Sequence, residues 1–177
     1  MNLALIFAGG TGTRMNSKTK PKQFLELNGK PIIIHTIELF ESHPEIDAIA
    51  VVCLESWIGY LNELLERFRI KKVKYVVPGG ETGQQSIRNG LTAFWDDQDI
   101  PRDSLVLIHD GVRPLINEDI ITRSIECAKQ YGNAITVTPA IETIITVSED
   151  DSVDQIMDRS KCRMARAPQT FRLCDIV

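Results

Sequence analysis

The feature that most constrains the fold of this chain is its alternation of short apolar runs with stretches of helical periodicity. Five short runs of apolar and β-branched residues are predicted to be buried strands. They are residues 3–7, 48–54, 73–77, 105–108 and 134–137. Four stretches between them repeat apolar residues at helical spacing. They are residues 32–40, which Pro31 opens, 57–69, capped by Ser56, 86–95, and 117–131, capped by Asn117. This order predicts an α/β fold with a mostly parallel sheet and helices on both of its faces.

Length and composition restrict the class of protein. A chain of 177 residues suits a single domain over 1–177. The net charge of −4 argues against a nucleic-acid partner. Neither a membrane span nor a signal peptide is predicted: no apolar run approaches the ~20 residues that cross a bilayer, and the apolar start lacks a basic segment. Four cysteines without metal-ligand spacing are typical of free thiols in a reducing cytoplasm.

Residues 140–160 interrupt the strand–helix alternation. A strand is predicted over 141–147, an acidic turn over 148–152, and a returning strand over 153–157. Such a β-arm has too few strands to bury its own apolar side chains, so a homodimer through residues 140–160 is expected. Beyond the arm, the chain stops where a new helix would begin, and we expect that a C-terminal part of the domain is missing.

The loop after the first strand is the most informative segment for function. It reads Ala8-Gly9-Gly10-Thr11-Gly12-Thr13, and its glycines let backbone N–H groups approach an anion closely. No acidic residue precedes Glu26, while four cations follow the glycines: Arg14, Lys18, Lys20 and Lys22. A polyphosphate site is therefore expected. It is neither a P-loop nor a dinucleotide fingerprint, because no Gly-Lys follows at the required spacing and Met15 replaces the third glycine.

Two further loops are expected at the same sheet edge, where the carboxyl ends of parallel strands meet. They comprise residues 78–86 and 109–114. Asp110 ends a strand, where Mg²⁺ shared with substrate phosphates would fit, although aspartate serves equally well as a turn cap. Arg113 can pair with Asp110 or bind a phosphate. His109 is as compatible with simple packing as with a chemical role.

Two specific segments carry a resemblance to a known family. The first joins residues 8–15 to Pro21-Lys22-Gln23-Phe24-Leu25, and the second comprises residues 106–114. On these segments the chain resembles the 2-C-methyl-D-erythritol 4-phosphate and ribitol-5-phosphate cytidylyltransferases. Weaker support comes from residues 79–81 with Ser86, 142–143, 158–159 and 168–171.

The resemblance implies a Rossmann-like sheet with a protruding β-arm that forms a homodimer. It implies the reaction of CTP with a polyol phosphate, with Mg²⁺, to give a CDP-polyol and pyrophosphate. The catalytic positions it implies are Arg14 and Lys22. The CTP-binding positions are Phe7, Ala8, Gly9, Gly10, Thr11, Gly12, Thr13, Gly79, Gly80, Glu81, Gln85, Ser86 and Asp110. Asp110 is also the metal position, and the positions for the second substrate are Arg113, Thr143 and Arg159, the last two reaching into the partner's site.

Several alternatives stay open at this point. Gly9 favours ribitol 5-phosphate, whereas the Gly-Gly-Glu loop favours 2-C-methyl-D-erythritol 4-phosphate. Gly83 and Ala167 depart from the family pattern, which has an arginine and a threonine there. A nicotinamide-dependent dehydrogenase would use Glu55 as its ribose ligand, but Glu55 lies too far from the glycine loop. A non-catalytic nucleotide-binding domain is the remaining alternative.

Overall fold

The computed structural model describes residues 1–10 and 20–177. In these two segments the chain forms ten strands, five α-helices and three short 3₁₀ helices. The strands are β1 Asn2–Ala8, β2 Glu26–Leu27, β3 Lys30–Pro31, β4 Ala48–Cys53, β5 Val73–Pro78, β6 Leu105–Asp110, β7 Ala134–Pro139, β8 Ile145–Val147, β9 Val153–Ile156 and β10 Arg163–Arg172. The α-helices are α1 Ile32–Ser42, α2 Ile58–Arg67, α3 Gly83–Trp95, α4 Glu118–Tyr131 and α5 Leu173–Ile176. The 3₁₀ helices are Lys22–Phe24, Glu55–Trp57 and Arg159–Lys161.

The main sheet has six strands in the order β5-β4-β1-β6-β10-β7. β1 pairs in parallel with β4 on one side and with β6 on the other, so Phe7 lies beside Asp110. The strand order therefore reverses between β1 and β6, and a crevice is expected at the carboxyl ends of these two strands. The mostly parallel sheet predicted from the sequence is confirmed.

β10 is a strand that the sequence prediction missed. It pairs antiparallel with both β6 and β7 and so separates these two strands in the sheet. Its first four residues, Arg-Met-Ala-Arg, are exposed, and two arginines interrupt the apolar continuity that is typical of buried strands. Only pairing with strands distant in sequence defines it.

The two faces of the sheet are covered by helices, as predicted. On β1 the side chains alternate: Ala4 and Ile6 pack in one apolar cluster with α1, α2 and α4, and Leu3 and Leu5 pack in the other with α3 and α5. α3 lies so close to the sheet that a Cβ at Gly90 would clash with Leu5. This packing fixes the position of the α3 N-terminus above the carboxyl edge.

The helix starts agree with the sequence at α1 and α4 and differ at α2 and α3. α1 begins at Ile32, directly after Pro31, as predicted. Asn117 caps α4 by accepting a hydrogen bond from the Ile120 N–H at 3.0 Å. Ser56 does not cap α2, because it lies inside a 3₁₀ helix that precedes that helix. α3 begins earlier than predicted and is capped by Thr82, whose Oγ1 accepts from the Gln85 N–H at 3.1 Å.

The arm is a separate two-stranded sheet of β8 and β9, paired antiparallel with Ile145 opposite Ile156. The predicted strand over 141–147 was too long, since only Ile145–Val147 is a strand. Ile145, Val147 and Val153 are 46%, 54% and 60% exposed. The protruding arm is thus confirmed, and its apolar side chains are uncovered in the single chain. Among the described helices, none has the length and apolar character needed to cross a bilayer.

Candidate active site

Two loops that are distant in sequence meet at the carboxyl edge of the sheet. A Cβ at Gly79 would lie 3.1 Å from the Cα of Gly9 and 3.3 Å from the Oγ of Ser86. A Cβ at Gly9 would lie 3.3 Å from the Cα of Gly79 and 3.0 Å from the same Oγ. Contacts this short leave little room for any side chain at either glycine. We call this surface, formed by Gly9, Gly79 and Ser86, the glycine wall.

The side chains of the loop over residues 78–86 hold its shape. Ser86 Oγ accepts a hydrogen bond from the Gly80 N–H and donates one to the Thr82 carbonyl, both at 3.0 Å. Gln85 Oε1 accepts from the Glu81 N–H at 3.1 Å. The α3 N-terminus lies beside these residues and contributes partial positive charge to this edge. The loop predicted from Gly79 to Ser86 for CTP binding is therefore a hydrogen-bonded unit.

Gln23 joins the first loop to the segment that follows it. Its side chain is fully buried, and its Nε2 donates to the carbonyls of Ala8 and Gly10 at 2.7 and 3.3 Å. Two carbonyl partners fix the orientation of the amide, because only its nitrogen can donate. The sequence prediction quoted Gln23 in a motif but gave it no role. Its spacing from the glycines was the available signal.

Lys22 is placed beside the glycine loop by the same segment. It opens the short 3₁₀ helix Lys22–Phe24, and Phe24 is buried against Trp57, with ring centroids 4.8 Å apart. Lys22 forms no ion pair with any described residue. Its charge is therefore available to a ligand. The other predicted catalytic residue, Arg14, lies outside the described residues together with Thr11, Gly12 and Thr13.

The loop over residues 109–114 is organised around Asp110. Its Oδ1 accepts from the Val112 N–H and its Oδ2 from the Arg113 Nε, both at 3.1 Å. The expected pairing of Asp110 with Arg113 is present, and so is the turn-capping role. His109, directly before, is fully buried and donates from Nε2 to the Arg113 carbonyl at 3.0 Å. Burial lowers the pKa of His109 below its usual value.

A cleft of about 240 Å³ opens at the crevice between β1 and β6. It brings together three predicted site residues, Phe7, Asp110 and Arg113. β10 also lines the cleft and contributes Arg166 among others. Because β10 was not predicted as a strand, Arg166 was not expected at this cleft. We call the surface formed by Asp110, Arg113 and Arg166 the charged wall.

The matching family model is described as IspD, 2-C-methyl-D-erythritol 4-phosphate cytidylyltransferase, and it covers residues 2–177. The chain belongs to the IspD family. It is a nucleotidyltransferase of the cytidylyltransferase type, as the resemblance implied. The dehydrogenase alternative has no support, and Glu55 begins a 3₁₀ helix after β4.

The IspD-family relatives differ in their named acceptor. A ribitol-5-phosphate cytidylyltransferase of Vibrio parahaemolyticus is 58% identical over 177 residues, which are 100% of this chain and 74% of that protein. A ribitol-5-phosphate cytidylyltransferase of Streptococcus agalactiae is 52% identical over 177 residues, which are 100% of this chain and 73% of that protein. A 2-C-methyl-D-erythritol 4-phosphate cytidylyltransferase of Clostridium acetobutylicum is 39% identical over 178 residues, covering 100% of this chain and 75% of that protein.

Solved structures of the same family share the fold. The crystal structure of 4-diphosphocytidyl-2C-methyl-D-erythritol synthase from Anaerococcus prevotii has a TM-score of 0.79 at 25% identity, covering 97% of this chain and 69% of that one. The 2-C-methyl-D-erythritol 4-phosphate cytidylyltransferase of Francisella tularensis has a TM-score of 0.75 at 29% identity, covering 98% and 74%. The Rossmann-like fold expected from the resemblance is confirmed.

Two predicted substrate residues do not join the cleft of their own chain. Thr143 and Arg159 lie on the arm, and neither lines the cleft. Arg159 donates from Nη1 to the Ile141 carbonyl at 2.9 Å, so its side chain braces the base of the arm. Their predicted role in the partner's site stays a prediction.

The described residues could supply only some of the ligands of a magnesium ion, the others being substrate phosphates and water. They contain no group of three or more His, Cys, Asp or Glu side chains placed to hold a metal. Asp110 supplies one carboxylate at the cleft, and each of its oxygens keeps a lone pair beyond its one hydrogen bond. Mg²⁺ is commonly held by one or two carboxylates together with substrate phosphates and water. Asp110 fits that arrangement.

Proposed function

We propose that this protein transfers the cytidylyl group of CTP to a polyol phosphate, with ribitol 5-phosphate as its preferred acceptor. The observation that carries the proposal is the carboxyl edge of the parallel strands, where the glycine wall follows β1 and β5 and the charged wall lines the cleft at the β1–β6 crevice. The relatives at 58% and 52% identity favour ribitol 5-phosphate over 2-C-methyl-D-erythritol 4-phosphate, which is named for the relative at 39%.

The proposed reaction needs no nucleophile from the protein. An oxygen of the acceptor phosphate forms a bond to the α-phosphorus of CTP, the bond from that phosphorus to the β-bridging oxygen breaks, and the electron pair leaves with pyrophosphate. The acceptor oxygen is already anionic, so the protein must align the reactants and stabilise accumulating negative charge. The glycine wall admits the triphosphate close to the backbone, and Lys22 supplies positive charge beside it.

Magnesium is the proposed cofactor, with Asp110 as the described residue that would hold it. When bound, it would neutralise charge on the triphosphate and on the departing pyrophosphate. Asp110 also keeps Arg113 in place through the ion pair at 3.1 Å. The carboxylate therefore both organises the charged wall and supplies the metal ligand.

We also propose that the protein acts as a homodimer through residues 140–160. The side chains of Ile145, Val147 and Val153 are exposed in the single chain. Packing against the same apolar surface of a second copy of the arm would bury them. Thr143 and Arg159 would then contribute to the partner's acceptor site. The cytoplasmic location predicted from the cysteines stays a prediction.

The decisive experiment is a substrate screen that measures pyrophosphate release. The protein is incubated with CTP, Mg²⁺ and either ribitol 5-phosphate, 2-C-methyl-D-erythritol 4-phosphate or unphosphorylated ribitol. We expect the highest kcat/KM with ribitol 5-phosphate and no release with ribitol, because the attacking oxygen belongs to the phosphate. Higher kcat/KM with 2-C-methyl-D-erythritol 4-phosphate would overturn the acceptor assignment. Faster turnover with UTP or ATP would overturn the assignment of CTP.

A further inference from the structure

Arg166 reaches the cleft because of the way β10 pairs with β6. Gln169 of β10 lies opposite Ile108 of β6, and the two strands run antiparallel. Residues that precede Gln169 therefore extend past Asp110, where β6 ends. On its other side β10 has a register shift between Ala165 and Gln169. Arg166 is thus held beyond the carboxyl edge of the sheet, and it lines the same cleft as Asp110 and Arg113.

The charges that line this cleft do not balance. Two of its lining residues are cations, Arg113 and Arg166, and one is an anion, Asp110. Asp110 is paired with Arg113. Arg166 forms no ion pair with a described residue, and the one hydrogen bond of its side chain to the described part of the chain runs from Nε to Thr138 Oγ1 at 3.3 Å. Its two terminal nitrogens are left to bind a ligand.

We propose that Arg166 binds the phosphate group of the acceptor and selects for phosphorylated polyols. This inference rests on the proposed function, because the acceptor phosphate is the nucleophile of that reaction. A guanidinium presents parallel N–H groups that match two oxygens of one phosphate. Two oxygens held by Arg166 leave the third free to face the α-phosphorus of CTP. Ala167, next in sequence, offers no hydroxyl for the same purpose.

The test compares Arg166→Gln and Arg166→Lys with Arg163→Gln. Arg163 is a matched control, because it lies on the same strand, carries the same charge and does not line the cleft. We expect Arg166→Gln to raise the KM for ribitol 5-phosphate about 10- to 100-fold, the usual loss for a charged hydrogen-bonding partner. The KM for CTP should change less than about threefold. Arg166→Lys keeps the charge but loses the paired donors. Its KM for ribitol 5-phosphate should lie between those of the unsubstituted protein and Arg166→Gln.

Calorimetric titration with inorganic phosphate tests the proposal without turnover. The unsubstituted protein and Arg163→Gln should bind phosphate alike, and Arg166→Gln should bind it at least about tenfold more weakly. Equal binding by all three would overturn the role of Arg166, as would a rise confined to the KM for CTP. Absence of turnover by the unsubstituted protein with every polyol phosphate would instead overturn the proposed function, and the phosphate titration would still decide the role of Arg166.

Discussion

The glycine wall and the charged wall lie at the same carboxyl edge of the sheet but are built in different ways. At the glycine wall, an added Cβ would lie 3.0–3.3 Å from its neighbours, so backbone forms the surface. At the charged wall, the surface is formed by side chains, and that of Arg113 is 57% exposed. A wall made of backbone is sensitive to added volume, whereas a wall of exposed charges is sensitive to the loss of charge. Substitutions at the glycine wall should therefore change mainly the KM for CTP, and substitutions at the charged wall mainly the KM for the acceptor.

The largest effect is expected from Lys22, a predicted catalytic residue next to Gln23, whose side chain is hydrogen-bonded to the Ala8 and Gly10 carbonyls. Lys22→Ala should lower kcat by about 10²–10³, because preorganised charge at the α-phosphate acts mainly in the transition state. The KM for CTP should change less. Steady-state kinetics at saturating acceptor measures both parameters. If Lys22→Ala raised the KM for CTP and left kcat unchanged, Lys22 would be a ground-state ligand of the triphosphate instead.

The matched control for this effect is Lys20, two residues earlier in the same acid-free segment. Its ammonium lies over the ring of Tyr60, 5.7 Å from the centroid, and it is not among the predicted catalytic residues. Lys20→Ala should cost less than about tenfold, and that loss should shrink with added salt. Arg14→Ala is expected to match Lys22→Ala. If Lys20→Ala matches it too, the segment is a general basic patch.

Added volume at the glycine wall should produce the next largest effect. Gly79→Ala places a Cβ against Gly9 and Ser86, and overpacking of this kind costs about 1–3 kcal/mol. We expect the KM for CTP to rise about 5- to 100-fold while the KM for the acceptor changes little. Gly83→Ala is the control, because no described atom lies within 4 Å of its Cβ. Equal effects of the two substitutions on the KM for CTP would contradict a wall set by close approach.

The same difference explains what could be predicted from the sequence. The glycine wall is encoded locally: Gly9 and Gly79 directly follow apolar strands, and parallel strands bring such loops to one edge. The charged wall depends on β10, whose exposed half has no apolar pattern to reveal it. Arg166 and Asp110 line one cleft only when β10, which is distant in sequence, pairs with β6. Pairing between distant segments is not written in local periodicity.

The helix caps show the same limit on a smaller scale. Asn117 was predicted correctly, since a capping side chain and a helical pattern adjoin there. Ser56 was wrong because the chain first forms a 3₁₀ turn, which places the serine one turn before the helix. The buried role of Gln23 was missed because its two partners, the carbonyls of Ala8 and Gly10, become its neighbours only in the folded chain. Local sequence gives the elements, and tertiary contacts decide where each element starts.

A substitution in the arm can show whether the glycine wall and the charged wall bind their substrates without residues of the partner subunit. Val147→Lys puts a charge on the exposed apolar surface of the arm and should weaken dimerisation by at least about tenfold, or ~1.4 kcal/mol. The KM for the acceptor should rise, since Thr143 and Arg159 of the partner subunit are lost, while CTP binding stays unchanged. Sedimentation velocity at micromolar concentration and steady-state kinetics measure the two effects.

Leu115→Lys is the control for the arm, because Leu115 is 93% exposed but lies outside it. It should leave both the dimer and the acceptor KM unchanged. Sedimentation of the unsubstituted protein as a monomer would contradict the proposed homodimer. A monomeric Val147→Lys variant with a normal acceptor KM would show that the charged wall is complete in one chain.

The smallest effect concerns His109, which supports the charged wall from below. In the neutral ring Nε2 carries the proton, so protonation must occur at Nδ1, which is buried without a described partner near the ring of Phe40. Burial therefore lowers the pKa of His109 below 6.5 in the folded protein. Below about pH 6.5 the unfolded chain binds a proton that the folded one excludes, so stability present above that pH is lost as the pH falls. Each kcal/mol lost should lower Tm by about 2–4 °C.

His109→Gln tests this assignment, because glutamine can donate to the Arg113 carbonyl but does not titrate. Thermal melts between about pH 7.5 and 5.5 should show a smaller fall in Tm for His109→Gln than for the unsubstituted protein, each measured against its own value at the higher pH. The glycine wall is built from backbone and a serine hydroxyl, so Ser86→Ala should lower Tm equally at both pH values. Identical pH profiles for the unsubstituted protein and His109→Gln would place the titrating group elsewhere and leave the charged wall without a pH-sensitive support.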